Sequence, residues 1–372
     1  MSKNESSPKS SQQPSWSIRI ATVSGIPLRI HFTFFLFLAW ISVASSGNQG
    51  IPMVLFLLAI FLCVMLHELG HALVARRMGI TTKDITLYPI GGIAMLEGRP
   101  APRQEFWIAL AGPLVNILIA AILAVGALIF EGGFGRMLGD LKQASMLDSL
   151  LIANLTLAGF NLIPAFPMDG GRVLRSALAL RMPEDSATQI AGGIGQGLAI
   201  LLGLVGIFSQ GYVLILIAFF VFFGASQEVS STVTRSFLHG HTVADAMQTR
   251  FRTILSGDTM QTAANMLLDG SQHDFPVMYG EEVLGLLLRN SIVQGLAVEG
   301  PDGYVASRMD REFKVVPPDF PLESVSDLFN QADTAPILIM RDDHLVGMLT
   351  MENLGEFVML EHAKAQNMNR QA

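Results

Sequence analysis

Cysteine is nearly absent from this chain. Cys63 is alone among 372 residues, which excludes an internal disulfide framework and any zinc finger built on thiolates. Charge is scarce as well: 15% of residues are Asp, Glu, Lys or Arg, against about 25% in an ordinary soluble domain. A purely soluble fold is therefore excluded. The net charge of −7 offers no basic surface for nucleic acid, so no nucleic-acid partner is expected. Residues 1–16 contain no apolar run; they are polar and rich in Ser and Pro. They read as a disordered tail, not as a cleaved signal peptide.

What is abundant is apolar sequence, 51% of residues with a mean hydropathy of +0.46. Apolar runs fall at about 31–47, 51–75, 105–130, 146–165, 190–208 and 211–227, each near the ~20 residues that a spanning helix needs. About six transmembrane helices are expected over 17–230. Arg19 and Arg29 precede the first run, Arg76, Arg77 and Lys83 follow the second, and Arg172, Arg175 and Arg181 lie between the fourth and fifth. By the positive-inside rule both termini are cytoplasmic, in a multi-pass protein of the cell membrane. Arg136 and Lys142 run against that assignment.

At the end of the second run stands His67-Glu68-Leu69-Gly70-His71. HExxH sets two imidazoles at i and i+4 on one helix face, where both can ligate one Zn²⁺, with Glu68 beside them as general base. Two histidines leave a catalytic zinc one protein ligand short. The best remaining candidate is Asp169, in Asn161-Leu162-Ile163-Pro164-Ala165-Phe166-Pro167-Met168-Asp169-Gly170-Gly171. Its prolines and glycines predict irregular backbone, tolerated at membrane depth where it lines a protein cavity. The plainer reading is a surface loop whose Asp169 caps the next helix. Cys63 shares the face of His67, but Cys63, His67 and His71 rise through about 12 Å and cannot all reach one ion. Cys63 therefore reads as a small buried residue and His31 as an interfacial side chain.

After Gln227 the chain becomes polar, and residues 241–362 repeat internally. Asp245-Ala246-Met247 is echoed by Ser307-Arg308-Met309, Phe275-Pro276-Val277 by Ala335-Pro336-Ile337, and Val283-Leu284-Gly285 by Leu345-Val346-Gly347. Each copy reads as a small α/β unit, 241–300 and 303–362, joined to the membrane domain by a linker at 231–240 and followed by a tail at 363–372. The pattern resembles a tandem of cystathionine-beta-synthase-type (CBS) modules. That resemblance implies an adenosine nucleotide cleft at Thr350 and Asn353, although Asp is usual where Asn353 stands and the first copy has Leu288 and Ser291. Dimerisation through the CBS domains, or docking of a substrate domain, is the alternative role.

HELGH in an apolar run, followed by NxxPxxPxDGG, resembles the site-2 protease family of intramembrane zinc metalloproteases. Phe106–Asn116 (FWIALAGPLVN) and Pro89-Ile90-Gly91-Gly92 are similar to that family too. The resemblance implies one zinc per chain on His67, His71 and Asp169, Glu68 as the activator of water, and Asn161 near the scissile bond. It implies a membrane-dipping β-hairpin at 84–96 to which an unwound substrate adds as a strand. The substrate would be a single-pass membrane protein, such as a membrane-tethered regulator. The expected fold is a polytopic α-helical membrane protein with a cytosolic α/β CBS pair. A CBS-gated channel or carrier is the competing class, but an ion pathway has no need of HExxH spacing.

Overall fold

The computed structural model describes residues 16–44, 50–89, 91–96, 98–130, 145–329 and 335–371. The chain divides into two compact units, Met1–Thr232 and Val233–Ala372. The N-terminal tail up to residue 15, and Arg136 and Lys142, lie outside the described residues.

The first unit opens on a hairpin, β1 (Ser17–Val23) and β2 (Ile26–His31), closed by Ser24 and Gly25 at φ 51° and 81°. A two-residue left-handed turn matches the twist of the strands it joins. After α1 (Phe32–Ala44) and α2 (Gly50–Arg77), a second hairpin follows, β3 (Thr82–Tyr88) and β4 (Gly91–Leu96). β3 runs parallel to β2, which gives one four-stranded sheet in the order β1-β2-β3-β4. The hairpin expected at 84–96 is thus the outer pair of a larger sheet. Ile26, Leu28 and Ile85 pack with Ala72 of α2, so the sheet is held against the helix that carries HExxH. His31 ends β2, with Nδ1 2.8 Å from Thr33 Oγ1 and its ring stacked on Tyr88.

The remaining helices of this unit are α3 (Pro102–Phe130), α4 (Met146–Asn161), α5 (Asp169–Ala179), α6 (Glu184–Phe208) and α7 (Tyr212–Leu238). Among the described residues, four stretches are long and apolar enough to cross a membrane: Ile51–Arg77, Pro102–Ile129, Glu184–Phe208 and Tyr212–Leu238. Of the six expected spans, the other two are shorter apolar helices, α1 with 13 residues and α4 with 16. At 1.5 Å per residue these reach about 20 and 24 Å, less than the ~30 Å hydrocarbon layer. Leu62, Leu118, Ile122 and Phe219 expose apolar faces on the long helices, a pattern that suits lipid and not water. α4 begins at a capping box in which the Asp148 backbone N–H donates to Ser145 Oγ at 3.1 Å.

The second unit repeats one small topology. The first copy holds α8 (Val243–Ala246), β5 (Ile254–Leu255), α9 (Met260–Leu268), β6 (Phe275–Tyr279), β7 (Glu282–Leu287) and α10 (Arg289–Val298). The second opens with a 3₁₀ turn at Val305–Ser307, then β8 (Val315–Val316), α11 (Leu322–Phe329), β9 (Ile337–Arg341), β10 (His344–Leu349) and α12 (Met351–Gln371). In both, a short strand lies parallel to the middle strand of a hairpin. Packing is offset from sequence by one lead-in segment. Val243 of α8 sits in the core of the second copy with Ile337 and Leu349, while Val305 and Met309 complete the core of the first. Gly285 and Gly347 occupy equivalent places in the two hairpins and admit these crossings. A Cβ at Gly285 would stand 2.3 Å from Asp310 O, and one at Gly347 2.5 Å from Met247 Sδ.

Thr242 and Asp245 cap α8. The Thr242 backbone N–H donates to the Asp245 carboxylate and holds it below the usual range. Residues 231–238, expected as linker, are the last turns of α7, and 363–371, expected as tail, are the last turns of α12.

Candidate metal centre and its cavity

His67 and His71 lie one turn apart on α2, both buried at 5% and 9% exposure. Their Nε2 atoms are 3.1 Å apart, and each is 3.2 Å from Asp169 Oδ2. The three atoms form a nearly equilateral triangle. A tetrahedral zinc with bonds of about 2.0–2.1 Å sets its ligand atoms about 3.3–3.4 Å apart. Two imidazole nitrogens and a carboxylate oxygen at this spacing fit a zinc ion within a few tenths of an ångström, and these three residues form the His/Cys/Asp/Glu cluster of metal-binding geometry among the described residues. Cys63 is not part of it. Cys63 is buried and accepts a hydrogen bond from Asn154 Nδ2 at 3.3 Å.

Each part of the triangle has a local cause. The Ile108 carbonyl of α3 stands 2.6 Å from His71 Nδ1 and accepts its proton, which leaves the Nε2 lone pair facing the cluster. α3 also supplies Gly112, whose missing side chain makes the room: a Cβ there would stand 2.2 Å from His71 Nε2 and 2.6 Å from His67 Nε2. Asp169 is the first residue of α5, and the N-cap is Met168, so its carboxylate serves the histidines and does not act as the helix cap. Gly170 and Gly171 let the preceding loop lie on that first turn; their Cβ atoms would fall 2.2 Å from Ile163 O and 2.6 Å from Phe166 N. Gly224 of α7 receives Pro167 in the same way, at 2.6 Å.

Glu68 faces the sheet. Gly92 of β4 passes directly over it, and a Cβ at Gly92 would lie 2.4 Å from Glu68 Cγ. β4 is an outer strand of the sheet, paired among the described residues only to β3, and its Gly91 to Ala94 line the cavity. His67, Glu68, His71 and Asp169 line a cavity of about 800 Å³ that β4, α3, the end of α4 with Asn161, and α5 to α7 enclose. Asn161 is half-buried at the last residue of α4.

Farther along the cavity, Arg175 of α5 joins Glu105 of α3 and Glu228 of α7, the latter at 2.5 Å, with its guanidinium 5.4 Å from the Phe166 ring centroid. These side chains are largely buried, and removing one partner of a buried pair strands the others. Arg175→Met is expected to lower stability by about 3–5 kcal/mol, read as an earlier thermal transition in detergent. A shift within error of wild type would deny the triad its role in holding α5. Motif reading did not reveal this triad, and it took in Gly112 only as part of Phe106–Asn116 without its purpose, because the partners lie 53 to 70 residues away in the first case and about 40 in the second.

The family model described as Peptidase family M50 matches residues 55–146 and 136–204. A zinc metalloprotease of Methanocaldococcus jannaschii is 31% identical over 339 residues, covering 91% of this chain and 95% of that one. The chain belongs to peptidase family M50. It is a metalloendopeptidase of the site-2 protease type and a membrane protein. A second M50-like relative, a putative zinc metalloprotease of Synechocystis, is 29% identical and covers 90% of this chain and 93% of its own length. A solved site-2 protease from M. jannaschii is 40% identical, with a TM-score of 0.43, over 57% of this chain and 95% of that chain. The CBS domain model matches residues 305–359, and the repeated topology of the second unit supplies its twin. In this M50 peptidase the candidate nucleotide residues are already engaged with each other: Thr350 Oγ1 donates to Asn353 Oδ1 at 2.8 Å, at the start of α12.

Proposed function

We propose that this protein hydrolyses a peptide bond within or near a transmembrane helix of a membrane-tethered, single-pass regulator, a form of regulated intramembrane proteolysis. His67, His71 and Asp169 hold one zinc ion per chain in this reading. The observation that carries it is the 3.1–3.2 Å triangle of ligand atoms with Glu68 alongside. Zinc bound there supplies a Lewis acid that polarises a carbonyl and brings the pKa of water to about 7. Glu68 takes the proton from the attacking water and returns it to the leaving amine. Asn161, at the cavity wall, holds the substrate carbonyl or the adjacent backbone. The free edge of β4 receives the opened substrate as an added strand, satisfying main-chain groups that the bilayer would leave unpaired.

The distribution of Arg and Lys supports cytoplasmic termini, and so a cut near the cytoplasmic face. The CBS pair is the regulatory element in this proposal, through an adenosine nucleotide at Thr350 and Asn353 or through pairing of two chains.

The test is zinc content and cleavage of a single-pass substrate by detergent-purified protein, before and after chelation. One zinc per chain, loss of cleavage on its removal and recovery on stoichiometric zinc are expected. Cleavage that survives complete removal of zinc would overturn the assignment.

A further inference from the structure

Below the metal-ligand cluster the cavity has a floor. Following α2 back from His71 to His67, its partners on α3 advance from Ile108 to Gly112, so the two helices are antiparallel. About one turn before His67, α2 carries Val64, and four residues beyond Gly112, α3 carries Asn116; both line the cavity, as does Leu157 of α4. Asn116 is the single polar side chain between Ala109 and Phe130. It is 1% exposed, lines the cavity, and neither Oδ1 nor Nδ2 has a hydrogen-bond partner among the described residues. Asn154, equally buried on α4, donates through Nδ2 to Cys63 Sγ and Leu150 O, and only its Oδ1 lacks a partner among the described residues, whereas Asn116 lacks one at both atoms. A buried amide without a partner is costly, and an apolar residue of the same size would avoid that cost.

We propose that Asn116 is a substrate-binding residue whose carboxamide pairs with a main-chain peptide group of the substrate at the deep end of the cavity. This rests on the protease reading above. A helix opened for hydrolysis loses its i→i−4 bonds on both sides of the scissile bond, and apolar surroundings leave those groups unpaired. The edge of β4 serves one side, over Glu68. The other side enters between Val64 and Leu157, which offer no hydrogen bond. A primary carboxamide presents an acceptor and a donor side by side, complementary to the C=O and N–H of extended backbone. Four helical residues rise about 6 Å, close to two residues of extended chain. The contacted peptide group therefore lies about two residues from the scissile bond.

The experiment pairs enzyme variants with substrate variants. A single-pass peptide that the wild type cleaves is resynthesised with one backbone amide at a time replaced by an ester, over three residues on either side of the cut. In the wild type, one ester near the second residue is expected to lower kcat/KM about tenfold. Asn116→Leu is expected to keep its zinc, lower kcat/KM for the all-amide peptide about tenfold, chiefly through KM, and lose sensitivity to that ester. If Asn116→Leu fails to fold, Asn116→Ala provides the same comparison.

Asn116 variants that keep every ester sensitivity, so that the two losses multiply, would overturn the contact and point to a bound water or a structural role. So would a variant that cleaves the all-amide peptide as well as wild type, and either result leaves the protease reading intact. Failure of the zinc-loaded wild type to cleave any such peptide would remove both together.

Discussion

Glu68→Gln is expected to keep the fold and the zinc while reducing cleavage of a transmembrane substrate roughly 10²–10⁴-fold, the usual contribution of a positioned general base. Glutamine has the shape of glutamate, so the packing beneath Gly92 survives. The three ligand atoms are on other residues and are unaffected. What disappears is a carboxylate able to accept a proton from water and return it to the amine. His67→Ala should behave differently, losing zinc and activity together, because it removes one corner of the ligand triangle. Zinc analysis beside single-turnover cleavage separates the two cases. Normal turnover by the Glu68→Gln protein would remove Glu68 from the mechanism.

Gly112→Ala is expected to be nearly as damaging, although the residue bears no functional group. The added methyl would stand 2.2 Å from His71 Nε2 and 2.6 Å from both His67 Nε2 and His71 Cε1. The rings have little room to retreat. His71 is held through Nδ1 by the Ile108 carbonyl on the same helix, and Gly70 is already against α3, where its own Cβ would meet Val115 at 2.8 Å. Either the helices separate or the imidazoles turn away from Asp169. Displacing ligands in this way should weaken zinc binding at least as much as the usual 10–100-fold loss from removing a residue that orients them. Gly126→Ala is the control on the same helix. Among the described residues nothing lies within 4 Å of its Cβ position, so it should retain zinc and gain up to about 1 kcal/mol of helix stability. Full zinc affinity in the Gly112→Ala protein would show that the close approach of α3 is not needed.

Much of the site could be read from one dimension because its first part is local. His67 and His71 meet because a helix repeats every 3.6 residues, and that holds wherever the helix is placed. The prolines and glycines of residues 164–171 likewise imply irregular backbone, which the structure shows over 162–168 before α5 begins at Asp169. The β1–β2 hairpin carries a legible signal too, in Ser24-Gly25 between the segments Ser17–Val23 and Ile26–His31. Asn116 stands as an isolated polar side chain in an apolar run, a signal the sequence carries without saying what it faces.

The sequence by itself therefore determined the HExxH spacing, the apolar segments and the duplicated C-terminal unit, since each depends on spacing or composition within a short stretch. Only the tertiary structure decided that Asp169 closes the triangle with two histidines some hundred residues earlier, and that β4 lies over Glu68. It alone decided that the lead-in segments of the repeat cross to each other's cores. These outcomes depend on where helices and strands touch, and contact is set by small residues such as Gly70, Gly92, Gly112, Gly224, Gly285 and Gly347. A glycine shows its purpose only when the atom that would collide with its missing side chain is in place.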